Sequence, residues 1–358
     1  MPGSTPEELR ALRGAVAELM AKRSPDSDPD GVWRELAEMG LLGLLVPEEY
    51  GGAGAGLVEV GVVAEELGRA LFAGPYLSTA VLAVNLLAAV DDPAQREAVL
   101  PEIAAGRTRV AVAFAEGGST RPPATPATSA AGSGTALLTG EKRFVLDADT
   151  ADLLYVLATA EDGSGIFAVD PTGPGVTVEP MTTVDLSRRL CAVRLSGAPA
   201  TAVGAAGGGV TALTDALDRS AVALLGEQAG AARCAMEMAR DYAKTRYQFG
   251  RAIGSFQAVK HMCADMLLEA ESAVSAARHV AAAAADGSQG WLADLALAQA
   301  YCSDAFVFVG ATNIQVHGGI GFTWEHPAHR YLRRARSDAQ LFGSPSWHRE
   351  RYLREIGA

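Results

Sequence analysis

The run Gln315-Val316-His317-Gly318-Gly319-Ile320-Gly321-Phe322-Thr323-Trp324-Glu325 ends a long apolar helical pattern, Gly290–His317, in a burst of glycine. Glycine there stops a helix and lets backbone come close to a neighbouring group. A second segment, Arg246-Tyr247-Gln248-Phe249-Gly250-Arg251-Ala252-Ile253-Gly254-Ser255-Phe256-Gln257, separates two more alanine-rich helical patterns, 210–247 and 255–285. It places Arg246 at a helix end, where taken by itself it reads as a solvated arginine. Three helices of this length joined by short connections pack economically as an antiparallel bundle, with a terminal helix expected from about Pro345.

Upstream the pattern changes. Thr5-Pro6-Glu7-Glu8 supplies a capping hydroxyl, a proline at the first helical position and a reciprocal glutamate ahead of Leu9, Leu12, Val16, Leu19 and Met20, which predicts a helix start. Further helical stretches are expected at Trp33–Met39, Val58–Leu71, Thr79–Val90 and Pro93–Ala105. From Arg109 come short β-favouring runs, Arg109–Phe114, Leu137–Leu146, Leu153–Ala158, Gly165–Val169, Val176–Val178 and Cys191–Leu195, with Ser119–Gly134 read as a mobile loop. The expected division is a helical domain over 1–108, a β domain over 109–205 and a helical bundle over 206–358.

The 358 residues carry a net charge of -12 and are 49% hydrophobic. That excludes a disordered chain and disfavours nucleic acid and anionic lipid as partners. No apolar run reaches spanning length, and the first eight residues lack the basic and apolar regions of a secretory signal. Cys191, Cys234, Cys263 and Cys302 are widely spaced, as reduced thiols of a cytoplasmic protein are. His326, His329 and His348 have no third ligand at metal-like spacing, so no metal is expected and hydrogen-bonded or surface roles suffice. Arg330, Arg333, Arg334 and Arg336 read as a solvated basic face with carboxylate partners.

The two glycine-rich segments resemble the paired C-terminal signatures of the flavin-dependent acyl-CoA dehydrogenase family, and Gly43-Leu44-Leu45-Val46-Pro47-Glu48-Glu49-Tyr50-Gly51-Gly52 resembles one of its N-terminal segments. The resemblance spans the chain. It implies an α+β multidomain fold: helical domain, small β-barrel or sandwich domain, antiparallel four-helix bundle. It also implies FAD as cofactor and an acyl-CoA thioester as substrate, undergoing α,β-dehydrogenation. In that family the adenosine and pyrophosphate of the flavin reach a neighbouring subunit's bundle, and the matching positions here are Arg246, Gln248, Phe249, Gln315, Gly318 and Gly319.

The catalytic positions differ. Where the family carries a Glu-Gly-Thr segment whose glutamate removes the α-proton, this chain has Phe342-Gly343-Ser344. At the alternative base position it has Ser220, followed by Ala221 where many relatives have a substrate-contacting arginine. Phenylalanine cannot accept a proton, and an alcohol with no partner base is too weak. Glu227 lies two turns beyond Ser220 and reads as a partly buried bundle glutamate, and Asp218 as a helix N-terminal charge. The flavin-facing β segments correspond to Ala115-Glu116-Gly117, Gly118-Ser119-Thr120 and Phe144-Val145-Leu146, in which the Leu146 side chain has no donor.

No catalytic residue is therefore assigned. The favoured expectation is a non-catalytic, flavin-bridging subunit of the kind found in heteromeric actinobacterial members, a heterotetramer with a Glu-bearing acyl-CoA dehydrogenase subunit. A homodimer or homotetramer is the other assembly considered. The alternatives are a self-contained monooxygenase or oxidase of the same fold, and a flavin-free structural partner.

Overall fold

The computed structural model describes residues 4–22, 28–132 and 135–358. Helix α1 (Pro6–Ala21) begins as its sequence dictates. The Thr5 hydroxyl accepts from the Glu8 N–H, and the Glu8 carboxylate accepts from the Thr5 N–H at 2.7 Å. After α2 (Pro29–Glu38) and two short 3₁₀ turns comes α3 (Leu57–Arg69). Next, a π-helical turn over Tyr76–Ala83 runs directly into α4 (Val84–Ala89), and α5 (Pro93–Ala104) completes the N-terminal helices.

The β region follows as β1 (Val110–Ala113), β2 (Ser129–Ala131), β3 (Ala136–Leu146), β4 (Leu153–Ala160), β5 (Gly163–Val169), β6 (Val176–Pro180) and β7 (Leu190–Val203). Strands β4, β2, β3, β7 and β5 pair in that order, and β5 returns to β4, so the sheet closes into a small barrel. β1 pairs with β4 in parallel, and β6 adds to β7. The interior is filled by Leu138, Val145, Leu154, Val156, Phe167, Cys191 and Val193, the inward members of the period-2 pattern. The expected loop over Ser119–Gly134 is corrected: Ser129–Ala131 forms β2, and Thr120 and Arg121 are anchored to distant backbone. Ser133 and Gly134 lie outside the described residues.

The bundle comprises α6 (Gly209–Thr245), the two-residue strands β8 (Tyr247–Gln248) and β9 (Arg251–Ala252), α7 (Gln257–Ala285), α8 (Trp291–His317), α9 (Ala328–Asp338) and α10 (Pro345–Glu355). α9 was hidden in the sequence because its arginines mask the apolar spacing of Tyr331 and Ala335. Trp291–Phe322 is long and apolar enough to cross a membrane by composition, yet α8 is the central helix of the bundle, packed against α6, α7, α9 and α10. Glycines bring α3 against α6. A Cβ on Gly68 would lie 2.1 Å from the Glu227 carbonyl, and one on Gly230 would lie 1.9 Å from that of Glu65. Only glycine allows two helices this close.

Candidate functional site

Two halves of a site must be judged separately. The first is the end of the bundle where α6 and α8 finish together: the Tyr242 ring stacks on His317 with centroids 4.3 Å apart, and His317 stacks in turn on His326. This contact brings the two glycine-rich segments side by side. Arg246 caps α6, its N–H donating to the Tyr242 carbonyl at 2.8 Å while its own carbonyl accepts from Ile253. The chain then turns through β8 and β9, with Phe249 and Gly250 in the left-handed region. Arg246, Gln248, Phe249, Gln315, Gly318 and Gly319 are all exposed, Phe249 to 91%.

The Arg246 guanidinium has no hydrogen-bond or ion-pair partner among the described residues. A Cβ built on Gly250, Gly318 or Gly319 would meet nothing within 4 Å, so a ligand can come close to the backbone here, although the Gly318 N–H itself is spent on the Ile314 and Gln315 carbonyls. An unspent guanidinium, two primary amides and bare glycine backbone fit a diphosphate with its nucleoside. The aromatic surface around them, with Tyr247, Phe249, Phe322 and Trp324 well exposed, is of the composition that protein interfaces use.

The second half is the space between β1, β3 and the segment linking α9 to α10, and it is closed. Val112, Phe114, Ala115, Thr120, Phe144, Leu146, Leu341 and Phe342 surround only about 10 Å³. Phe342 is 1% exposed and belongs to the main hydrophobic core. Its φ is +62°, a conformation that costs a bulky residue energy and persists only when the surroundings enforce it. A loop holds the segment down from outside. The Thr120 hydroxyl donates to the Gln340 carbonyl at 2.5 Å, and Arg121 donates to the Phe342 carbonyl at 3.4 Å while lying over the Trp347 ring at 4.4 Å. Ser344, which stands near the expected carboxylate, caps α10 by accepting from the Trp347 N–H. A tricyclic flavin ring needs space of the order of typical ligand pockets, roughly 300 Å³. It does not fit here.

No acid is poised in this space. Ser220 is fully buried, its hydroxyl donating to the Ala216 carbonyl at 2.6 Å and accepting from the Asn85 amide at 3.1 Å. Glu116 is committed to structure: it accepts from Lys142 Nζ at 2.5 Å, from the N–H groups of Ala127 and Thr128 and from the Thr128 hydroxyl. Burial works against its charge, but these donors win and hold it at about 2. Asp218 is not a helix N-terminal charge. It sits well inside α6, buried and gripped by both terminal nitrogens of Arg351 at 2.6 and 2.7 Å.

Glu227 likewise belongs to a buried ion cluster, pairing with both Arg188 and Arg334. Arg334 is 1% exposed, correcting the expected solvated face; it also reaches Asp185 at 2.7 Å and the carbonyls of Ser187 and Phe72. Two histidines also depart from expectation: His329 and His348 are buried, His329 against Trp324 and His348 against Trp347. These ion pairs left no sequence signal, because they join side chains from 26 residues apart, in Glu116 with Lys142, to 149, in Arg334 with Asp185.

Comparison with known proteins agrees with this geometry. Residues 6–107 match the family model described as acyl-CoA dehydrogenase, N-terminal domain, and residues 207–357 match acyl-CoA dehydrogenase, C-terminal domain. The chain is 34% identical over 352 residues to acyl-CoA dehydrogenase IpdE2 of Mycolicibacterium smegmatis, covering 95% of this chain and 96% of that one. Among solved structures it is similar to the Tcur3481-Tcur3483 steroid ACAD, at 31% identity and TM-score 0.87, with 98% of both chains covered. It is also similar to the ChsE4-ChsE5 complex from Mycobacterium tuberculosis, at 28% identity and TM-score 0.88, covering 100% of this chain and 99% of that chain. Both of the latter are titled as two-component proteins. By domain order, matched length and identity, this chain belongs to the acyl-CoA dehydrogenase family of flavin-dependent oxidoreductases.

Proposed function

We propose that this chain is the non-catalytic subunit of a heteromeric acyl-CoA dehydrogenase, holding the adenosine diphosphate end of FAD for a partner that supplies the ring pocket and the base. The observation that carries this reading is Phe342, buried in a space of about 10 Å³ where a ring and a carboxylate would both be needed. A bound flavin supplies hydride acceptance at the β-carbon of an acyl-CoA thioester. This chain's residues do the holding: Arg246 donates to phosphate oxygens, the amides of Gln248 and Gln315 reach the nucleoside diphosphate, and Gly318 and Gly319 admit it to the backbone.

Proton abstraction falls to the partner, because the Phe342 ring has no basic atom and the Ser220 hydroxyl, already bonded to Ala216 and Asn85, is too weak a base. The exposed aromatics Tyr247, Phe249, Phe322 and Trp324 form the surface on which the partner seats. The two-component titles of similar structures support such an assembly. A self-contained oxidase or monooxygenase would need the ring seat that Phe342 fills.

The flavin-to-protein ratio tests the proposal. Purified alone the chain is expected to be flavin-poor; co-purified with a glutamate-bearing acyl-CoA dehydrogenase subunit it retains flavin. Arg246→Ala should then weaken flavin retention by the complex about ten-fold without dissociating it. Stoichiometric flavin with acyl-CoA turnover in the isolated chain would overturn it.

A further inference from the structure

A cavity of about 300 Å³ opens between α1, α3, α6 and α7, and none of its lining belongs to the flavin-holding segments or to the closed space around Phe342. Its lining residue Gly226 is twenty residues before Arg246 on α6, about 30 Å along the helix. The floor is hydrocarbon: Val62, Val222, Ala277 and Ala281 are buried, with Val58 and Leu9 half-buried at the rim. Gly61 and Gly226 contribute no side chain. A Cβ on Gly226 would lie 2.7 Å from the Gly61 carbonyl, so the two helices meet beneath the cavity and leave room above it.

The charge around it is mainly positive. Arg10, Arg13 and Arg278 line it against a single carboxylate, Glu65. Glu65 is paired with Arg13 at 2.7 Å and with Arg278 at 3.0 Å, and Arg13 also reaches Glu66 at 2.8 Å, so the guanidinium left over is that of Arg10. Arg10 is exposed and has no partner among the described residues. In a chain of net charge -12, an apolar hollow with a surplus of guanidinium is selective for an anion with a hydrocarbon body. Its volume is at the small end for ligand pockets, which excludes a nucleotide-bearing thioester.

We infer that this cavity is a binding site for a small apolar carboxylate, its head on Arg10 and its chain against Val58, Val62, Val222 and Ala281. The planar fork of a guanidinium matches a carboxylate with two parallel hydrogen bonds. The ligand is held and not transformed, because the lining offers no nucleophile and its one acid is ion-paired.

Titration calorimetry of the full chain, alone or with its partner subunit, tests this with octanoate, octanol and octyltrimethylammonium as probes. Octanoate is expected to bind saturably at one site, and octanol and the ammonium at least about ten-fold more weakly. Arg10→Ala, an exposed change, should weaken octanoate about five- to ten-fold. Val58→Phe, at the half-buried rim, should abolish binding by occupying the hollow while thermal unfolding stays cooperative. Absent octanoate binding, equal binding of the three probes, or binding untouched by either variant would each overturn the inference. Flavin content of the complex should be unchanged in both variants, whereas Arg246→Ala should leave octanoate binding intact, so this site and the flavin-holding role fail independently.

Discussion

Position 342 shows how one side chain can close a pocket. A carboxylate there would be solvated by a bound ligand and would face a ring; phenylalanine instead turns inward, accepts a left-handed backbone and becomes core. Removing the ring leaves a void that neighbours on two rigid strands, β1 and β3, cannot collapse to fill. Phe342→Ala is expected to destabilise the chain by about 3 kcal/mol, read as a shift of the denaturant midpoint at unchanged slope. The same variant has no base, so it should show no acyl-CoA-dependent dye reduction.

At the scale of elements, the closure is an agreement between a loop and a helix. The loop carrying Thr120 and Arg121 grips Gln340 and Phe342, and α10 presents Trp347 beneath Arg121. The Arg121 side chain is largely covered, and burial pulls its guanidinium down to about 10, so it remains charged at neutral pH. Beside it His348 is held neutral: burial first, then the positive charges of Arg121 and Arg351, push it down to about 3. The unfolded chain binds a proton at this histidine near 6.5 and the native chain does not until about 3. This stabilising contribution is therefore fully present above 6.5 and drains away as pH falls toward 3. Its slope is at most about 1.4 kcal/mol per pH unit. His348→Leu should flatten the decline in stability between pH 6.5 and 4.5, measured by urea unfolding at each pH; an unchanged slope would remove His348 as its source.

Across the whole molecule, one buried cluster joins the three layers. Arg334 on α9 ties the Phe72 carbonyl after α3 to Asp185 and Ser187 between β6 and β7, and to Glu227 on α6. Arg188 adds Asp338 at 2.9 Å. Two guanidiniums thus meet three carboxyl groups, and burial pushes Asp338 up to about 7, which brings the cluster near neutrality. Removing one partner from such a cluster leaves an uncompensated buried charge. Glu227→Ala strips both arginines of a partner and should cost about 3 to 5 kcal/mol in global unfolding. Breaking an exposed pair such as Lys22 with Glu18 should leave the unfolding midpoint unchanged in the same measurement, because solvent screens it.

What the sequence determined by itself was everything local or repeated. The capping box of α1, the long alanine-rich helices, the alternating strands and the glycine-rich segments after α6 and α8 are written in adjacent residues, because capping, periodicity and positive φ depend on neighbours in the chain. These sufficed for the order of helices, barrel and bundle, and for the absence of a base at position 342. What only the tertiary structure decided was where the spare charges go. Arg121, Lys142, Glu116, Asp218 and Arg334 look alike as letters, yet each is fixed by a partner brought from a distant element. The same is true of the closed space around Phe342 and the hollow beside Arg10: a volume is a property of several elements packed together, and no single stretch of chain encodes it.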